Sequence, residues 1–192
     1  MQLLRVLILM FAVVFFATPA VHSQNAPDSG LKAEITGVSI PGNRRPVVTF
    51  KISDAKGKPL DLDDLDPDSV KFTIAALKVG KSDNNDYYNY ILSKVNGKDY
   101  LYKGETRKPS LAETLQPDFD QGGALARVRP GVFTYTFKTA LPSGFDRKTT
   151  HVLGGELTRG NQRYAVNPLL EFVPAGGKVQ VRRDLTETAS CN

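Results

Sequence analysis

Short runs in which apolar and polar residues alternate, each closed by a Gly, Pro or Asp turn, recur along this chain. A period of two places one set of side chains on a single face of a strand, whereas a helix would scatter it around its axis. Leu31-Lys32-Ala33-Glu34-Ile35 alternates apolar and charged positions, as a half-buried strand does. Pro46–Ser53 (PVVTFKIS) is β-branched and aromatic, and Asp54-Ala55-Lys56-Gly57-Lys58-Pro59 then makes a turn. Val70–Leu77 (VKFTIAAL) sets Val70, Phe72 and Ile74 on one face. Tyr87–Leu92 (YYNYIL) reads as a strand, with the start of a short helix as the alternative. Gly131–Lys138 (GVFTYTFK) sets Phe133, Tyr135 and Phe137 opposite Val132, Thr134 and Thr136. Thr149–Thr158, Leu169–Phe172 and Val179–Arg183 complete the series.

Seven or eight strands of this kind predict an all-β, single-domain fold. The expected architecture is an antiparallel Greek-key or Ig-like β-sandwich, or a split β-barrel. Its core should include Val48, Phe50, Ile52, Phe72, Ile74, Phe133, Tyr135 and Phe137. Ten Phe and seven Tyr in 192 residues that are 41% hydrophobic can fill that core. The stretch Ser93–Arg129 fits the strand pattern poorly. It is polar, Leu111–Leu115 has the spacing of one helical turn, and the whole reads as a long loop.

The first segment, MQLLRVLILMFAVVFFATPAVHSQ, reads as a secretory signal peptide. Arg5 supplies the positive start, and Val6–Ala17 is an uncharged apolar run of 12 residues, too short to span a bilayer. The boundaries expected are 1–23 for the signal peptide, 24–30 for a flexible N-terminus, 31–184 for the β domain and 185–192 for a linker tail. The chain is then exported and not transmembrane after cleavage. Removal of the leader takes His22 with it and leaves His151 as the only histidine.

Several chemistries are poorly provided for. One Cys allows no disulfide within the chain, and no Cys/His cluster offers a zinc site. There is no Gly-x-Ser-x-Gly elbow and no phosphate-binding Gly loop, so the chain is read as a non-enzyme. The net charge of +5 comes with the basic pairs Arg44-Arg45, Arg147-Lys148 and Arg182-Arg183 scattered along the sequence. No aromatic residues interleave with them, so a nucleic-acid partner is not expected.

Three features remain. Asp61–Asp68 holds five Asp in eight residues, and Asp61, Asp63 and Asp66 are weak calcium candidates, set against a solvated turn. His151 sits on a strand, either as a structural histidine or as a donor toward something outside the domain. Cys191, near the end of a polar tail, has no packing reason to be a cysteine and begins the pattern of a Cys-x-x-Cys-His haem-attachment site.

A resemblance gathers these residues. Pro46–Asp54, Val70–Leu77, Gly131–Phe137, Leu141-Pro142, Thr150-His151-Val152, Asn167-Pro168 and Phe172-Val173-Pro174 follow in order. Arg183-Asp184-Leu185 then leads to Ala189-Ser190-Cys191-Asn192. Together, over residues 31–192, they resemble the N-terminal region of the outer-membrane decahaem c-type cytochromes of the OmcA/MtrC family. The resemblance implies a β-rich Greek-key domain preceding multihaem domains that conduct electrons across or outside the outer membrane. It implies that Cys191 is half of a truncated haem-attachment site and that His151 is a candidate distal haem ligand. Haem c is implied for the full-length protein and none for this chain. The partners implied are the haem domains of that protein or other outer-membrane electron-transfer proteins. The location implied is periplasmic, outer-membrane-associated or extracellular. The alternative is an unrelated secreted β-sandwich used in binding or adhesion.

Overall fold

The structure is a computed structural model and describes residues 30–78 and 86–180. Along the chain come β1 (Lys32–Ser39), β2 (Val47–Ser53), a 3-10 turn (Leu62–Asp64), β3 (Lys71–Lys78) and β4 (Asp86–Asn89). Next are β5 (Leu92–Asn96), β6 (Tyr100–Tyr102), β7 (Glu105–Arg107), β8 (Glu113–Pro117) and β9 (Ala124–Arg129). The series closes with β10 (Val132–Thr136), β11 (His151–Arg159), β12 (Tyr164–Val166) and β13 (Leu169–Phe172).

Two open antiparallel sheets make the body. One has the order β1-β2-β10-β9 and the other β12-β11-β3-β4, with β13 also on the edge of β11. The expected sandwich is therefore present, and its sheets do not close into a barrel. Register explains the core. Phe50 opposes Phe133, and Val48 opposes Tyr135, while Leu153 faces Ile74 and Gly155 faces Phe72 in the second sheet. These same-face positions point inward from both sheets, and all eight expected core residues are buried. The Phe72 ring lies 5.4 Å from Phe50 and 5.1 Å from Tyr135, so the aromatic contacts tie one sheet to the other. Gly155 is needed where it stands, since a Cβ there would meet the Phe72 ring at 2.9 Å and Pro168 at 3.1 Å.

The segment 93–129 departs from expectation. It is mostly strand, and in place of the helical turn expected at Leu111–Leu115 the chain bends at Ala112 and enters β8 at Glu113. β5 pairs with β8 and β6 with β7, forming a two-stranded arm with most of its side chains exposed. The arm leaves the body after Ile91 and returns at Asp118, whose N–H donates to the Ile91 carbonyl at 3.0 Å. Gly97 continues the ladder by donating to Ala112 O at 2.9 Å, and a Cβ on it would collide with the Leu111 carbonyl. The tip turns at Lys103 and Gly104, both at positive φ (51° and 81°), as a two-residue hairpin requires.

Two smaller expectations also shift. The strand expected over Tyr87–Leu92 breaks after Asn89, whose side-chain oxygen accepts from the Ile91 N–H at 2.9 Å. The strand expected at Val179–Arg183 is not formed over Val179-Gln180, and its remainder lies outside the described residues. The signal segment 1–23 and the tail 185–192 also lie outside them.

Candidate functional site

His151 occupies a core-facing position of β11, in the same parity as Leu153, Gly155 and Leu157, and is fully buried. Its ring is enclosed by Tyr90 (stacked, centroids 5.7 Å apart), Phe172 of β13 (5.7 Å) and Phe145 (6.1 Å, edge-on). Nδ1 lies 3.0 Å from the Thr149 carbonyl oxygen, which can only accept, so Nδ1 carries the proton. Nε2 is then the acceptor, and Tyr90 Oη donates to it at 3.2 Å. Tyr88 Oη stands 3.2 Å from Tyr90 Oη, and it is the donor of that pair because Tyr90 has given its proton to the ring.

Burial favours the neutral imidazole and holds the His151 pKa below its ordinary 6.5, against the opposing pull of the Thr149 carbonyl and the Asp146 charge. Burial likewise raises the Tyr90 hydroxyl, and the neighbouring Tyr88 and Asp146 charges add to it. The site is thus a neutral relay, Tyr88 to Tyr90 to His151 to Thr149, with no nitrogen lone pair facing solvent.

A second buried polar node was not anticipated. Asp120, 2% exposed, accepts from Tyr135 Oη at 2.8 Å, from Lys138 N–H at 2.9 Å and from Thr139 N–H at 2.9 Å. Its backbone bridges to Phe72, and Tyr135 Oη also accepts from Gly123 N–H at 3.0 Å. Burial and the Asp120 bond push the Tyr135 hydroxyl pKa up, and the Gly123 contact opposes them. Asp120 therefore joins the segment returning from the arm to both sheets. No local pattern in Pro117-Asp118-Phe119-Asp120 announces this, because every partner of the carboxylate is distant in sequence. The Tyr88/Tyr90 parity, by contrast, was visible in Tyr87–Leu92.

The aspartates considered for calcium are not brought to one centre. Asp61 caps the 3-10 turn through Leu62 N–H and pairs with Arg127 at 2.9 Å. Asp66 accepts from the backbone N–H groups of Gln162 and Asn161, both at 2.8 Å, and these bonds help hold its pKa below the usual carboxylate range. Asp63 and Asp66 line an open cleft of about 710 Å³ with Leu65, Val70 and Leu125. Among the described residues, no three His, Cys, Asp or Glu side chains are grouped to hold a metal ion. Cys191 lies outside the described residues, so its relation to His151 is not part of this geometry.

Comparison with protein-family models gives no match, and comparison with curated proteins gives none either. Solved structures do match. The crystal structure of the outer membrane decaheme cytochrome OmcA superposes with a TM-score of 0.64 and 22% identity, covering 80% of this chain and 25% of that one. The crystal structure of MtrC from Shewanella baltica OS185 gives 0.55 and 16%, covering 84% of this chain and 25% of its own. The chain spans about a quarter of the length of either structure. With two open sheets packed on one aromatic core and these two likenesses, the chain has the fold of a β domain found in the outer membrane decaheme cytochrome OmcA and in MtrC.

Proposed function

We propose that this chain is a haem-free β domain of an exported multihaem c-type cytochrome for extracellular electron transfer. In this reading it works as a packing, docking or partner-contact module beside haem domains and is outer-membrane-associated. The observation that carries it is the likeness to OmcA over 80% of the chain.

The described residues do not fit a haem of their own. Histidine ligation of haem iron uses an imidazole nitrogen, and both nitrogens of His151 are engaged inside an aromatic cage. Ligation would require Tyr90 to leave and Nε2 to reach the surface. We therefore assign His151 to packing. Tyr90, Phe145 and Phe172 make its surroundings as apolar as the core, while its two hydrogen bonds fix the end of β11.

The DNA that follows the codon for Asn192 tests the reading. Repeated Cys-x-x-Cys-His sequences there, in any frame, are the expected result. Their absence from all frames would remove the cytochrome reading and favour a secreted binding or adhesion module.

A further inference from the structure

We propose that the outer hairpin of the arm, Tyr100–Arg107, is an interfacial anchor that seats on an anionic lipid surface. A two-stranded ribbon standing alone in water is marginal, and apolar side chains on it need a reason. Here Tyr100, Leu101 and Tyr102 are 51%, 74% and 46% exposed. β6 packs chiefly on β7, so the body does not cover them.

The register decides between kinds of partner. Tyr100 opposes Arg107 and Tyr102 opposes Glu105, which places both tyrosines on one face, while Leu101 opposes Thr106 on the other. A groove on a protein would cover one face of the ribbon and leave the other wet. A headgroup layer surrounds an inserted tip and takes apolar side chains from both faces. Tyrosine is a side chain of that layer, with its ring toward the hydrocarbon and its hydroxyl toward water.

Charge points the same way. Lys98, Lys103, Arg107 and Lys108 outnumber Asp99 and Glu105 around the tip. Two of the cations stack on the aromatic face, Arg107 at 4.8 Å and Lys103 at 5.4 Å from the Tyr102 ring centre. Arg107 also lies 3.7 Å from Glu105, an exposed pair that solvent screens and that leaves the local excess basic. Basic groups beside interfacial tyrosines are matched by anionic headgroups and not by neutral ones.

The described body contains both sheets, the core and the arm, so residues 24–192 serve for the test. The chain has no Trp, and Leu101→Trp therefore gives a single reporter at the tip, with Val128→Trp on exposed β9 as its control. Vesicles of phosphatidylglycerol mixed equally with phosphatidylcholine are compared with phosphatidylcholine alone. The expected result is co-sedimentation with the anionic vesicles only, and a blue shift for Leu101→Trp but not for Val128→Trp. Arg107→Ala and Lys108→Ala should each lower the partition constant about five-fold. Serine at positions 100, 101 and 102 should abolish binding without changing the melting temperature.

Absence of sedimentation overturns the proposal. So does sedimentation with equal shifts at both reporters, or binding that the triple serine variant retains. Arm-dependent capture of a decahaem cytochrome such as OmcA, with no vesicle binding, would make the tip a protein contact instead.

Discussion

Replacing Asp120 by alanine removes three hydrogen bonds to a buried carboxylate, from Tyr135 Oη, Lys138 N–H and Thr139 N–H. Bonds to a charged group contribute about 1.5–3 kcal/mol each. The lower figure applies, since Lys138 and Thr139 are exposed and water can reach their N–H groups once the carboxylate is gone. Tyr135 Oη also keeps the Asp120 backbone carbonyl at 2.9 Å. At about 1.5 kcal/mol for each backbone bond and about 1 kcal/mol for the Tyr135 bond, Asp120→Ala should destabilise the domain by about 4 kcal/mol, a large share of the roughly 5–15 kcal/mol typical of a folded domain. Tyr135→Phe strips the acceptor from Gly123 N–H and the donor from Asp120, for about 1–2 kcal/mol. One bond is counted in both single changes, so the double variant should fall short of additivity by about 1 kcal/mol. Urea unfolding followed by far-ultraviolet circular dichroism measures all four corners of this cycle. Asp120→Ala within about 0.5 kcal/mol of the parent, or strict additivity with Tyr135→Phe, would refute the assignment of Asp120 as the tie between arm and sheets.

Stability of residues 24–192 should fall as pH drops below about 6.5, because a buried neutral His151 has a folded pKa lowered from its unfolded value. The stabilisation is complete above that pH and is lost toward the folded value, at no more than about 1.4 kcal/mol per pH unit. His151→Phe should flatten this slope in urea melts between about pH 5 and pH 6.5, as no other histidine is present to titrate. Gly131→Ala should cost about 1–3 kcal/mol, because φ is 71° and the new Cβ would stand 2.9 Å from both Ile52 O and Pro59 Cβ. A melting temperature equal to the parent's would contradict the close approach seen there. Residues 24–192 expressed with a cytochrome c maturation system should emerge colourless with one titratable thiol, and a covalent Soret band in the purified protein would falsify this.

Legibility in the sequence followed burial. β2, β3 and β10 each bury one face, so alternation at Phe50/Ile52, Phe72/Ile74 and Phe133/Tyr135 was imprinted on the residues and could be read back. The arm buries neither face. Lys94, Val95 and Asn96 in β5 are all exposed, and nothing selects a period of two there. The spacing of Leu111, Ala112 and Leu115 then imitated a helical turn in what is an exposed ladder. His151 shared the parity of Leu153 and Leu157, so its core position was present in the pattern, but its cage was not. Phe172 meets it through the pairing of β11 with β13, Tyr90 through the chain after β4 that bonds β3, and Phe145 from the loop before β11. The aspartate run was ambiguous for the same reason, as Asp66 acts on Asn161 and Gln162 across the fold.

The junction of Ile91 and Asp118 has a consequence for how this molecule assembles. The arm is zipped along its own length, from Leu92 opposite Pro117 to the turn at Lys103-Gly104. To the rest of the chain, the span between β4 and β9 then behaves as a much shorter tether than its residue count indicates. The entropy of closing a loop grows only as about 1.5 RT times the logarithm of its length, and a span already zipped contributes little even to that. Directly joining residue 91 to residue 118 would therefore leave the sandwich with nearly the same closure entropy. The base of the arm is a seam at which a length of chain can be gained, lost or exchanged while both sheets keep their register.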